Sequence, residues 1–203
     1  MDKAKENFLL NFIAFFMAVF LITIIVSIIY YKNYSSIFWL CYTGIAIILI
    51  GILKRNSSLI LSQVIILAIP DFLWGIDFFS IVISGDSLLN LARGFFIEER
   101  FLKKFVAIQH LFTIPLSIYS LYILKVKSSW KVLVFSFVQL EIFFWLTKYF
   151  ALERANINCV YYSCANIGWG ADIYPLAWIV TMFGFSLLVY FIIKNIKFFK
   201  KQS

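Results

Sequence analysis

The chain has 203 residues, of which 63% are hydrophobic and 24 are Phe, while only 14% are charged; a soluble domain of roughly 45–50% apolar and about 25% charged residues could not bury that excess. Composition therefore excludes a water-soluble globular domain and makes lipid the solvent. The formal charge of +8 does not signal a nucleic-acid partner, because the basic residues sit at the ends of apolar runs instead of along one polar face.

In chain order, apolar runs bounded by Lys32, Lys54-Arg55, Lys103-Lys104, Lys125 and Lys194 predict spans at about residues 8–31, 37–53, 59–84, 105–124, 130–151 and 175–193. The first run is longer than the ~7–15 residues of a signal-peptide core and is expected to stay attached. Lipid offers no partner to an open backbone, so every span is expected to be helical. The expected fold is all-α: a polytopic membrane protein with six transmembrane helices in a single integral membrane domain, 1–203. Eleven Lys or Arg fall on the side of the two termini and seven on the other, which predicts both termini in the cytoplasm.

Two connections exceed a turn. Between the third and fourth spans, residues 85–104 place Leu88, Ala92, Phe95 and Leu102 on one helical stripe opposite Asn90, Arg93, Arg100 and Lys104, predicting a short helix in the membrane interface. Residues 152–174 hold Asn156, Asn158, Cys159, Cys164, Gly168 and Gly170 and predict an irregular segment folded over the outer face. Cys159 and Cys164 share that segment whereas Cys41 lies inside a span, so these two are expected to form a disulfide.

Carboxylates inside a bilayer cost at least ~2.5–3.5 kcal/mol on insertion scales and normally face the bundle interior or a hydrated cavity. The third span carries Asp71 near its middle and Asp77 about 9 Å further out. Six residues separate them, which puts them about 240° apart on an ideal helix, so they are not a catalytic pair unless Pro70 or Gly75 distorts it. The fourth span brings His110, the one histidine of the chain, and the fifth brings Glu141. By depth, Asp77 is expected to face His110, with Asp71 and Glu141 deeper in the same cavity, and Asn156 and Asn158 add polar groups from the loop. One histidine excludes a multi-histidine metal cluster or a bis-histidine haem within the chain. No nucleotide-binding, nucleophile-elbow or zinc-protease motif occurs. No metal or cofactor is expected, and a triad assembled from Ser117, His110 and Asp77 carries little weight because Ser117 lies two turns from His110.

Asp77, the stretch Ser84-Gly85-Asp86-Ser87-Leu88, His110-Leu111 with Pro115, and Asn156-Ile157-Asn158-Cys159-Val160 together resemble an uncharacterised family of prokaryotic polytopic membrane proteins. The likeness covers about residues 70–160, and Cys159 with the cysteine-bearing loop departs from the pattern. The resemblance implies a membrane protein of unassigned activity, in a prokaryotic cell membrane, with those polar positions on its working surface.

Three functions are compatible with these residues. The first is an outward-opening polar cavity that binds or transports a small solute, an ion or a lipid headgroup, linked to a proton through Asp77, His110 and Glu141. The second is a membrane-embedded enzyme acting on a lipid, with His110 as general acid or base. The third is a structural subunit of a membrane complex whose polar groups only join helices. Membrane lipids are the expected partners in each case.

Overall fold

A computed structural model describes residues 2–126, 129–165 and 173–196, which are predominantly helical and contain no strand. The elements are α1 (Lys3–Tyr30), a 3-10 turn (Tyr34–Phe38), α2 (Leu40–Leu53), α3 (Ser57–Ser84), α4 (Arg93–Ile97), α5 (Phe101–Ala107), α6 (Gln109–Leu124) and α7 (Trp130–Phe150). Two further 3-10 turns (Glu153–Ala155 and Ile157–Cys159) lead toward α8 (Tyr174–Asn195). Gly168 and Gly170 lie outside the described residues.

Five helical segments are long and apolar enough to cross a membrane: α1, α3, the joined α5–α6, α7 and α8. The expected span at 37–53 is instead a 14-residue α2 preceded by the 3-10 turn. The expected helix over 85–104 is not continuous either: residues 85–92 form a loop, and only Arg93–Ile97 makes a short helix before α5 begins. The continuous helix fails there because the backbone N–H groups of Leu89, Leu91 and Ala92 are drawn to a carboxylate of α3 described below.

Local signals explain the boundaries. Asn56 Oδ1 accepts from Ser58 N and Leu59 N, starting α3 immediately after the Lys54-Arg55 turn. Gly85 ends α3 with φ of 81°, a left-handed conformation that glycine adopts without Cβ strain.

α3 is the central helix, packed against α2, α6, α7 and α8, while α1 lies across α2, α5 and α6. Its contact with α2 is close because a Cβ at Gly51 would stand 2.7 Å from Ile60 Cγ1 and 3.2 Å from Ile60 N, and one at Gly44 would run into Leu67. Small residues of this kind let membrane helices approach where no hydrophobic force drives them together. Its contact with α7 is polar. Gln63 Nε2 donates to Gln139 Oε1 at 2.9 Å, Gln139 Nε2 returns a bond to Gln63 Oε1 at 3.1 Å, and Ser136 Oγ donates to Ser62 O. Outward, the bundle shows Phe8, Phe15, Phe72, Ile83, Tyr149 and Leu176, the apolar surface a lipid environment accommodates.

Candidate functional site in a lateral groove

Asp71 stands 14 residues after Ser57 and 13 before Ser84, so it sits about 20 Å from either end of α3. The preceding Pro70 cannot donate to the carbonyl of Ile66, and Pro115 of α6 likewise leaves that of Leu111 without its helical donor. Between these two helices runs a groove of about 700 Å³, walled by Phe72, Ile76, Phe79, Leu111 and Ile114. Asp71 and His110 line it at one end, and Ser80, Ser84 and Leu88 at the other.

His110 Nδ1 and Asp71 Oδ1 are 2.7 Å apart. The carboxylate side chain is 3% exposed and the imidazole 20%, so the histidine is the member that meets the groove. Trp74, one turn after Asp71, lies against the imidazole with ring centroids 5.0 Å apart, and the buried thiol of Cys41 on α2 adjoins it. Asp71 Oδ2 is buried and has no hydrogen-bond partner among the described residues. With Nδ1 committed to Asp71, Nε2 is the other ring nitrogen that can carry or accept a proton.

His110 therefore pairs with Asp71 and not with Asp77, contrary to the expectation from depth. Two physical reasons account for this. Asp71 and Asp77 lie on different faces of α3, so only one can point at α6. The first part of the fourth span is taken up by α5, which leaves His110 at the first turn of α6, level with Asp71.

Asp77 has a different task. Its Oδ1 accepts from Leu89 N at 2.7 Å, its Oδ2 from Leu91 N at 2.8 Å and Ala92 N at 2.7 Å, and both oxygens accept from Ser87 Oγ. This carboxylate folds the loop after Gly85 back onto the end of α3. Ser80 Oγ and Ser84 Oγ hold the same loop through the carbonyl of Asp86.

Glu141 is not in the groove. It lies on α7, half-buried, and accepts from Trp145 Nε1 at 2.7 Å on the outer surface of the helix. Asn156 and Asn158 are structural. Asn158 Oδ1 accepts from Leu40 N at 2.8 Å, capping α2, while its Nδ2 donates to Phe38 O and Thr147 Oγ1. Asn156 Oδ1 accepts from Tyr161 N and Tyr162 N, and its Nδ2 donates to Tyr162 O. Both asparagines have positive φ, 39° and 54°, a region that Asn tolerates better than most residues. Trp178 Nε1 and Tyr174 OH on α8 donate to the carbonyls of Asn158 and Cys159. Tyr161 OH donates to Lys148 O at 2.7 Å, and burial pushes this phenol above its ordinary range. Cys159 and Cys164 form a disulfide with Cα atoms 5.5 Å apart, closing the segment that joins α2, α7 and α8.

The groups brought together are thus Asp71, His110, Trp74 and Cys41. Trp74 was missed in the sequence, although its place three residues beyond Asp71, on nearly the same face of a helix, is a signal that could have found it; Cys41 gave no such signal. Among the described residues no cluster of three or more His, Cys, Asp or Glu is arranged to hold a metal ion. No protein-family model, curated protein or solved structure matches this chain.

Proposed function

We propose that this chain is a membrane-embedded binding protein for an amphiphilic molecule, taken up sideways from the bilayer and placed against a proton-exchanging Asp71–His110 pair. The observation that carries the reading is the groove itself. Its walls are apolar, it opens between α3 and α6, and among the described residues its only titratable lining groups are Asp71 and His110. A free ion or a sugar would gain little from Phe72, Ile76 and Phe79, whereas a chain-bearing molecule buries apolar surface along them. The unpartnered Asp71 Oδ2 supports a further donor at this point, because a buried acceptor without one is costly.

The same dyad favours a second reading. A carboxylate holding His Nδ1 in a groove-lining dyad is the arrangement of a general base, which supports an enzyme acting on a lipid. Against it, Ser80, the nearest groove hydroxyl on α3, is nine residues from Asp71, about 13 Å along the helix, too far for a nucleophile activated by His110.

The proposal includes six crossings with both termini cytoplasmic. The 3-10 turn and α2 together supply about 31 Å of rise, close to the ~30 Å hydrocarbon thickness. Cysteines introduced at Lys54 and Tyr162 are expected to label from opposite sides; labelling from one side refutes the topology. For the site, organic extracts of the purified chain are compared by mass spectrometry with those of Ile76→Trp and Asp71→Asn. A species enriched in the wild type and lost from both variants is the expected result, and identical extracts would overturn the reading.

A further inference from the structure

A second pocket, of about 170 Å³, lies where the end of α1, the 3-10 turn and the start of α2 meet α5. Its polar lining is Ser27, Asn33, Ser36, Trp39, Tyr42 and Lys103. Ser27 and Ser36 are each only 8% exposed, yet neither hydroxyl makes a hydrogen bond within the described protein, nor do the Asn33 amide, the Trp39 indole N–H or the Tyr42 hydroxyl. Every one of these groups can donate, and Trp and Lys can only donate. No carboxylate lines the pocket.

The cation is positioned and only partly neutralised. Arg100 is closed on Glu98 by two bonds, Nε to Oε1 at 2.6 Å and Nη2 to Oε2 at 2.7 Å. Lys103 Nζ reaches the same carboxylate only at 3.8 Å and lies 5.5 Å from the centre of the Tyr31 ring. Two cations share one anion here, so the cluster keeps a net positive charge beside a set of unused donors. Tyr30, Tyr34 and Ile37 are exposed alongside, the aromatic and aliphatic edge that sits at a membrane interface, level with lipid phosphates.

We propose that this pocket binds a phosphate, that of an anionic lipid headgroup whose chains lie along the exposed side of α1 and the 3-10 turn. A phosphate presents several acceptor oxygens to converging donors and a charge to Lys103. The site is independent of the α3–α6 groove and does not rest on its function.

The test is calorimetric titration of the full chain in neutral detergent with dihexanoyl phosphatidylglycerol, dihexanoyl phosphatidylcholine and inorganic phosphate, each separately. Phosphatidylglycerol is expected to bind the wild type, and Lys103→Met and the double variant Ser27→Ala/Ser36→Ala are each expected to weaken it roughly tenfold. Lys103→Arg, which keeps the charge, is expected to retain most of the affinity, and it replaces Lys103→Met as the informative variant if the latter does not fold. Binding of phosphatidylglycerol alone assigns the occupant to a lipid. Inorganic phosphate binding with the same sensitivity to the variants supports the anion site and assigns it to a free ion. Equal binding by the wild type and the Ser27→Ala/Ser36→Ala variant, or no binding of either anion, would overturn the proposal.

Discussion

Asp71 and Asp77 are two carboxylates on one helix, both buried in an apolar segment long enough to cross a membrane, and they are used in opposite ways. Asp77 receives three backbone N–H groups and the Ser87 hydroxyl, so each oxygen accepts at least two bonds. Asp71 shares one bond with His110, and its second oxygen has no partner among the described residues. A carboxylate whose acceptor capacity is filled by its own chain holds a structure together. One left half-filled beside a titratable ring in a groove is available to something else. Buried charge alone does not separate the two, because what distinguishes them is where their lone pairs go.

The same substitution at both positions breaks this comparison if it is wrong. Asp77→Asn turns an amide NH2 toward backbone N–H groups that have no other acceptor, and is expected to cost on the order of 2–4 kcal/mol and to loosen residues 86–92. Asp71→Asn keeps an oxygen for His110 Nδ1 and is expected to cost less than about 1 kcal/mol while abolishing ligand enrichment in the groove. Unfolding in mixed micelles, with hydrogen exchange at Leu89, Leu91 and Ala92, reads both. Equal destabilisation by the two variants would mean that Asp71 is structural as well.

The asparagine cap provides a neutral counterpart to Asp77. Asn158→Ala removes the cap on Leu40 N and leaves Phe38 O without its side-chain donor, for an expected loss of roughly 2–3 kcal/mol. The Cys159–Cys164 bridge closes a loop of only a few residues, so Cys164→Ser is expected to cost about 2 kcal/mol by the chain-entropy estimate. Thermal melting of each variant, with the wild type also measured under reducing conditions, checks the order. A larger loss from the disulfide than from Asn158 would make the covalent link, and not the hydrogen-bonded cap, the principal support of this end of the bundle.

The helical nature of the chain, the positions of its long apolar helices and the Cys159–Cys164 pair were legible in the sequence, because each follows from local composition or from two residues close in the chain. The pairing of His110 was not. Depth alone placed Asp77 and His110 together, but contact between helices depends on face and register. Which residue of α3 lies level with His110 follows from how α3 and α6 pack, which no apolar run reveals. The loop at 85–92 was missed for a related reason. Its apolar periodicity suggested an amphipathic helix, whereas Asp77, ten residues before Ser87, draws three of its backbone N–H groups out of any helical pattern. Asn156 and Asn158 were legible as special residues; Asn156 serves its own loop through Tyr161 and Tyr162, whereas the use of Asn158 as a cap is set by Leu40 of α2, which lies far away in sequence.

Glu98 extends the comparison to a partly exposed carboxylate outside the long apolar helices, and its expected effect is the smallest. Like Asp77 it is well supplied with donors, from Arg100 Nε, Nη2 and backbone N, with Lys103 further off. The hydrogen bonds from the Arg100 side chain hold its pKa down to about 2, against an ordinary value of 4.5. Since the folded value lies below the unfolded one, ionised Glu98 stabilises the fold above about pH 4.5, and that contribution disappears as the pH falls from there through about 2. Solvent competes for this surface pair, so Glu98→Gln is expected to cost about 1 kcal/mol or less at neutral pH. The gap between wild type and variant should narrow steadily in melts taken from pH 5 downward. A gap as large as that of Asp77→Asn would show that burial is not what makes the Asp77 clamp strong, and a gap that widened in acid would reverse the sign of the Glu98 contribution.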